Sequence, residues 1–153
     1  MSFTSPIGTR YKAPVLSKIW SQNSKIKHMR QLWIDLATFQ KQLGVEQITD
    51  EGIEEMKANI ENIDTEKINQ HEKICKHDIV ANIHTYGELC PIAKPFIHLG
   101  VTSNFINDNV DLILIKNPLR EILSSVVKFI VKPVDAKLNS LNSLCCPQSS
   151  FLV

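Results

Sequence analysis

Thr102 and Ser103 sit in the stretch "HLGVTSNFINDNVDLILI" (98–115), after a glycine at 100 and before a run of apolar residues with helical spacing. Glycine permits close backbone approach, and the first N–H groups of a helix have no internal partner. Hydroxyls beside such amides form a site for a carboxylate or a phosphate. The same two residues also fit an ordinary helix N-cap. A second candidate is "KHD", Lys76-His77-Asp78, which places a cation, an imidazole and a carboxylate at consecutive positions. Around a helix these would fan out about 100° apart and line a pocket rim, or form one turn of a solvated face. Arg10 and Tyr11 follow Gly8 in a proline-containing arm. Arginine can grip a phosphate through two parallel hydrogen bonds and tyrosine can add a hydroxyl, although the arm could equally pack on a neighbour. His77 and His84 are seven residues apart, roughly 10 Å along a helix, which is too far for one metal ion.

Helices must position these groups. Residues 1–14 carry Pro6, Gly8 and Pro14 and read as irregular. Ile26, Met29, Trp33, Leu36 and Leu43 recur at helical spacing, and Gly44 is suited to end that helix. Thr49 and Asp64 are expected N-caps. The first opens a helix with Ile53, Met56 and Ile60 on one face. The second opens a long helix to about Leu89, with a break allowed near Gln70. Pro91 and Pro95 mark a loop. A further helix is expected from Ser103 or Asn104 towards Val131, with a kink or break at Pro118. No alternating pattern competes, so the fold class is all-α, without repeats. From Lys132 onward the Ser/Asn runs and prolines suggest poor order, or a short helix from Asp135 to about Leu144 before a loose end.

The bulk properties narrow the function. With 153 residues, one core is feasible. A net charge of +1 gives no reason to expect nucleic acid or a membrane surface as partner. The cysteines (Cys75, Cys90, Cys145, Cys146) have neither zinc-site nor disulfide-framework spacing. No run is long enough to span a bilayer, and the N-terminus lacks a signal-peptide core, so a cytoplasmic protein is expected.

Three of these stretches, "SPIGTRY", "KHDIVANIHTYGELCP" and "HLGVTSNFINDNVDLI", occur in this order in one enzyme family. Together with "MRQLWIDLATFQKQLG" and "ITDEGIEEMKANIENID", they resemble the N-terminal region of adenylosuccinate lyases, in the fumarase/aspartase superfamily. The resemblance covers roughly residues 5–130. It implies a cofactor-free lyase of purine biosynthesis that β-eliminates fumarate from adenylosuccinate and from the succinyl-carboxamide ribotide. By the same resemblance Arg10 and Tyr11 hold the nucleotide phosphate, Lys76, His77 and Asp78 line the substrate pocket, and Thr102 and Ser103 hold a succinyl carboxylate. AMP and fumarate are then ligands. Family members are tetramers with shared active sites, so a homo-oligomer or assembly with full-length subunits is expected.

The chain also departs from the family. Lys76 stands where an arginine is usual, which keeps the charge and loses the planar fork. Pro118 stands where a helix former is usual. The "THFQPAQ"-like segment with the acid histidine and the "SSxMPYKxNP"-like loop with the base serine have no counterpart here. The expected organisation is a nucleotide-binding arm (1–14), an N-terminal helical domain (15–103), a truncated start of the central helical domain (104–131) and a divergent, poorly ordered tail (132–153). A splice form or a gene-model fragment would produce that pattern. The isolated chain is expected to be inactive. Alternatives are a non-catalytic regulatory isoform and a product without function.

Overall fold

The computed structural model describes residues 13–144, and these form six α-helices and no strand. The helices are α1 (Pro14–Ile19), α2 (Gln22–Gln42), α3 (Asp50–Ala58), α4 (Thr65–Cys75), α5 (Asp78–Leu89) and α6 (Ser103–Leu144). The fold class is the expected all-α one. The chain divides into two units, Met1–Leu114 and Ile115–Val153.

Local chemistry sets the helix ends in the first unit. Pro14 opens α1, where a missing N–H costs nothing. The side chains of Ser21, Thr49 and Asp64 accept from the amides of Ser24, Gly52 and Lys67 and cap α2, α3 and α4. At the end of α2, Gly44 adopts φ +90°. Its amide donates to the Lys41 carbonyl and the Val45 amide donates to that of Gln40. This is the 5→2 and 6→1 pair of a Schellman motif, so Gly44 ends the helix as its type predicts.

The buried face of α2 is not quite the expected stripe. It comprises Ile26, Met29, Arg30, Trp33, Ile34 and Ala37, whereas Leu36 is half-buried and Leu43 is 85% exposed. Leu43 caps the helix beside the chain reversal at Gly44, and nothing packs over it. Arg30 enters the core in its place, 1% exposed.

The reading of one helix from Asp64 to Leu89, breaking near Gln70, needs correction. The break falls at Lys76, which takes a left-handed conformation (φ 54°) and ends α4 by donating its amide to the Glu72 carbonyl. Beyond it the chain reverses. Lys67 pairs with Glu88, His71 Nε2 lies 3.0 Å from Glu88 Oε1, and the His71 and His84 rings stack at 5.8 Å. Contacts that climb one helix while descending the other define an antiparallel hairpin. Ile68 is thereby buried in a small cluster with Ala81 and Ile26. A straight helix would leave that apolar face in water, at a loss of roughly 1.5–3 kcal/mol per large side chain.

The segment after α5 is tied to α3. Glu55 Oε2 accepts from the amides of Ile92 (2.9 Å) and Ala93 (3.2 Å). Ala93, Phe96 and Ile97 then plug the main core beside Trp33, Met56, Ile79, Tyr86, Ile106 and Val110. The Trp20 indole N–H donates to the Leu114 carbonyl, at 3.0 Å, and holds α1 to α6.

The second unit contains the remainder of α6. The helix continues through Pro118 and Pro133, so the alternative of a break at Pro118 is corrected: the helix carries the proline in its interior. Leu119, Ile122, Leu123, Val126, Val127, Phe129, Ile130, Val131 and Val134 are all exposed. Among the described residues no helix is long and apolar enough to cross a membrane.

Gly52 tests the packing of the first unit. A Cβ there would lie 2.5 Å from Phe96 Cζ, and Phe96 is itself buried. In an open helix Gly→Ala stabilises by ~1 kcal/mol. Here overpacking at ~1–3 kcal/mol outweighs that gain. Gly52→Ala should therefore lower the urea midpoint, and an unchanged or raised midpoint would show that the Phe96 ring yields freely.

Candidate functional site

Lys76, His77 and Asp78 occupy the turn of the α4–α5 hairpin. They do not share one helical turn, contrary to the expected fan. Lys76 is the left-handed cap of α4, His77 is the extended N-cap of α5 (φ −149°, ψ 122°), and Asp78 is the first helical residue. His77 Nδ1 lies 3.3 Å from Asp78 Oδ1, and both side chains are about half exposed. Lys76 also lines a cleft of about 520 Å³ with Asn69, Glu72 and Lys73. One turn further along α5, Asn82 donates to the Asp78 carbonyl at 3.0 Å, while its buried Oδ1 has no partner.

Thr102 and Ser103 stand at the start of α6, as expected. Thr102 is the N-cap, and its Oγ1 accepts from the Phe105 amide at 3.3 Å. The capping role and the binding role are compatible, because the Thr102 hydroxyl still has its proton to donate. The amides of Ser103 and Asn104 have no acceptor among the described residues. A helix start with open amides and two hydroxyls is suited to an anion.

His98 opens the loop that leads into Thr102 and Ser103. It takes φ +68°. Lys76 and His98 are the non-glycine residues with positive φ among those described, and both lie beside candidate positions. Such backbones cost of order 1–3 kcal/mol and persist only where the surroundings enforce them. For His98 the enforcement is visible. The Trp33 indole N–H donates to His98 Nδ1 at 3.0 Å, and the two rings meet edge to face. Gln40 Nε2 donates to the Leu99 carbonyl at 2.8 Å. Gly100 completes the reversal at φ +71°. The His98 pKa is lowered by burial and, secondarily, by the nearby His77. Thr102, four residues on, lies within about 14 Å of chain reach of His98. His98 opens the "HLGVTSNFINDNVDLI" stretch, but its partner Trp33 is 65 residues away, so spacing along the chain assigns it no contact.

Arg10 and Tyr11 lie outside the described residues. Among those described, no group of three His, Cys, Asp or Glu side chains is arranged to hold a metal ion. Cys90 is no nucleophile: it is buried, and burial pushes its thiol up to about 11.

The fold and the site define an all-helical chain whose helix turns present imidazoles, a lysine, a carboxylate and an open helix start. No family model matches the chain. Individual proteins do. It is 40% identical over 131 residues to adenylosuccinate lyase of Saccharomyces cerevisiae, covering 84% of this chain and 27% of the relative. The figures for Schizosaccharomyces pombe adenylosuccinate lyase are the same. The Caenorhabditis briggsae enzyme is 40% identical over 139 residues, or 90% of this chain and 29% of the relative. Over this matched region the chain belongs to the adenylosuccinate lyase family. It spans less than a third of the length of these relatives.

The depressed histidines make stability pH-dependent. His28 is also lowered, by burial and by Lys27. Unfolded histidine titrates near 6.5, so the unfolded chain binds more protons than the fold just below that pH. The contribution of His28 and His98 is fully present above pH ~6.5 and is lost as pH falls towards their folded values. Urea unfolding of the wild type between pH 8 and 5 should show this decline, and His98→Gln should flatten it. Equal slopes in the two proteins would contradict the assignment.

Proposed function

We propose that this chain supplies the substrate-binding part of an adenylosuccinate lyase active site. The family reaction is a β-elimination. A base takes a carbon-bound proton, the electron pair forms the new double bond, the C–N bond breaks, and an acid protonates the leaving nitrogen. Fumarate departs from adenylosuccinate or from the succinyl-carboxamide ribotide. The substrate carries two carboxylates and a phosphate, which must be held while the proton transfers occur. In this reading Thr102, Ser103 and the open amides of α6 hold a succinyl carboxylate. Lys76, His77 and Asp78 line the nucleotide pocket, and Arg10 and Tyr11 hold the phosphate. Lys76 acts as a point charge without the bidentate grip of an arginine. Such a chain would belong to purine nucleotide biosynthesis in the cytoplasm.

The observation that supports this reading is the open start of α6, where Thr102 and Ser103 place two hydroxyls beside amides that have no acceptor among the described residues. Anion-binding groups without a matched acid or base give binding without turnover. Each positioned acid or base contributes typically ~10²–10⁴-fold. The 153-residue chain alone should therefore release no measurable fumarate from adenylosuccinate. Mixed with full-length yeast subunits altered at the positions matching Thr102 and Ser103, it should restore part of their activity. Turnover by the pure chain would overturn the inactive reading, and failure to complement would count against a shared site.

The exposed apolar residues of α6 favour a second reading, a non-catalytic chain that joins full-length subunits. Contiguous apolar surface of this kind promotes association. Light scattering should show concentration-dependent oligomers of the wild type. The triple variant Leu119→Lys, Leu123→Lys, Phe129→Lys should be monomeric. A wild-type chain that stays monomeric at high concentration would exclude this reading.

A further inference from the structure

Histidine offers a ligand two chemically different nitrogens, and which one carries the proton is set by what the other touches. At His98 that choice is made from inside the core. Trp33 is 1% exposed, and its indole N–H can only donate. It lies 3.0 Å from His98 Nδ1, so Nδ1 must present a lone pair. A neutral imidazole with a lone pair on Nδ1 carries its proton on Nε2. Protonating Nδ1 would set two N–H groups against each other and leave the buried indole unsatisfied.

The support extends further inward. The Trp33 ring stacks on Tyr86 (6.1 Å, 28°), Tyr86 carries the Arg30 guanidinium on its face at 4.4 Å, and the Tyr86 hydroxyl donates to the Met56 carbonyl at 2.6 Å. The indole therefore has little freedom to turn away. On the loop side, the left-handed backbone of His98 and the Gln40–Leu99 hydrogen bond fix where the imidazole is presented. His98 is only partly buried, and its Nε2 has no protein partner among the described residues.

We propose that Trp33 is a positioning residue for the candidate site: its indole N–H locks His98 as the Nε2–H tautomer, a neutral N–H donor held for an anionic ligand. The ligand part of this proposal rests on the function proposed above, whereas the tautomer part does not. The device suits an anion site that must work without a net charge on the ring. The neighbours of His98 agree with it. His77 is the titratable group whose field reaches the ring, and it disfavours a second positive charge there. Trp33 and Gln40, from α2, are both neutral.

Nitrogen-15 NMR of the histidine rings in the 153-residue chain tests this directly. In the wild type, without ligand, His98 should show a pyridine-type Nδ1 and a protonated Nε2. The opposite tautomer, or an even mixture, would overturn the proposal without any variant. Trp33→Phe keeps an aromatic ring against Tyr86 and removes the donor. Its His98 should lose the tautomer bias, and the ring pKa should rise by about 0.5–1 unit as one hydrogen bond to the neutral form is lost. Tyr86→Phe is the control for a merely structural role. It removes the hydrogen bond to Met56 and should lower stability while leaving the His98 tautomer unchanged. An equal effect of both substitutions on His98 would sink the specific role of Trp33. Titration with fumarate separates the two readings. A shift of the Nε2 proton together with the Ser103 and Asn104 amides supports the donor role. Movement of the amides alone overturns it. No response anywhere would count against the anion site itself and leave the tautomer result standing.

Discussion

The first unit is organised around one buried cation. Arg30 is 1% exposed and has no carboxylate partner among the described residues. A guanidinium in that position would cost several kcal/mol if left without compensation. Its compensation is the end of α3. One nitrogen, Nη1, lies within hydrogen-bonding distance of the carbonyls of Asn59 (2.6 Å), Ile60 (3.3 Å) and Asn62 (2.9 Å), and the group rests on the Tyr86 ring. The carbonyl end of a helix carries partial negative charge, so a cation is favoured there. Burial lowers the Arg30 pKa, but arginine remains charged in proteins. The interaction fixes three elements at once: α2, which bears the arginine, the turn after α3, and α5, which bears Tyr86.

Placement of the candidate site follows from that arrangement. Tyr86 is pinned by Arg30 and by the Met56 carbonyl, Trp33 stacks on Tyr86, and Trp33 holds His98. On the other side, α5 can lie in the core only if the chain reverses after α4, which forces the left-handed turn at Lys76. The two strained non-glycine backbones are thus consequences of packing, stabilised by contacts elsewhere. Their effect is to fix the turn that carries His77 and the loop that leads into the start of α6.

The rest of α6 follows different physics. Up to Leu114 the helix contributes Ile106, Val110 and Leu114 to the core. Beyond it the same kind of apolar side chain is exposed at nearly every other position, and two prolines are carried inside the helix. Each internal proline costs about 3 kcal/mol in helix propensity. Leu, Ile and Val in this segment therefore record a preference for burial that the chain by itself does not satisfy.

Much of this protein was determined locally and could be read from its residues. Caps at Thr49 and Asp64, the glycine stop at Gly44 and the helix start at Ser103 depend on backbone chemistry within three or four positions, and they fall where those residue types predict. The motifs that carry the family resemblance are likewise local strings. Tertiary structure decided what depends on distant partners. A break at Lys76 in place of Gln70 has no local signal, because its cause is the pairing of α4 with α5. Leu43 reads as core by its spacing and Arg30 does not, yet Leu43 is exposed and Arg30 buried, since burial depends on which surfaces meet. The orientation of His98 is set by Trp33, 65 residues earlier in the chain. Sequence spacing encodes neighbours along a helix, and a hydrogen bond across the core leaves no trace in it.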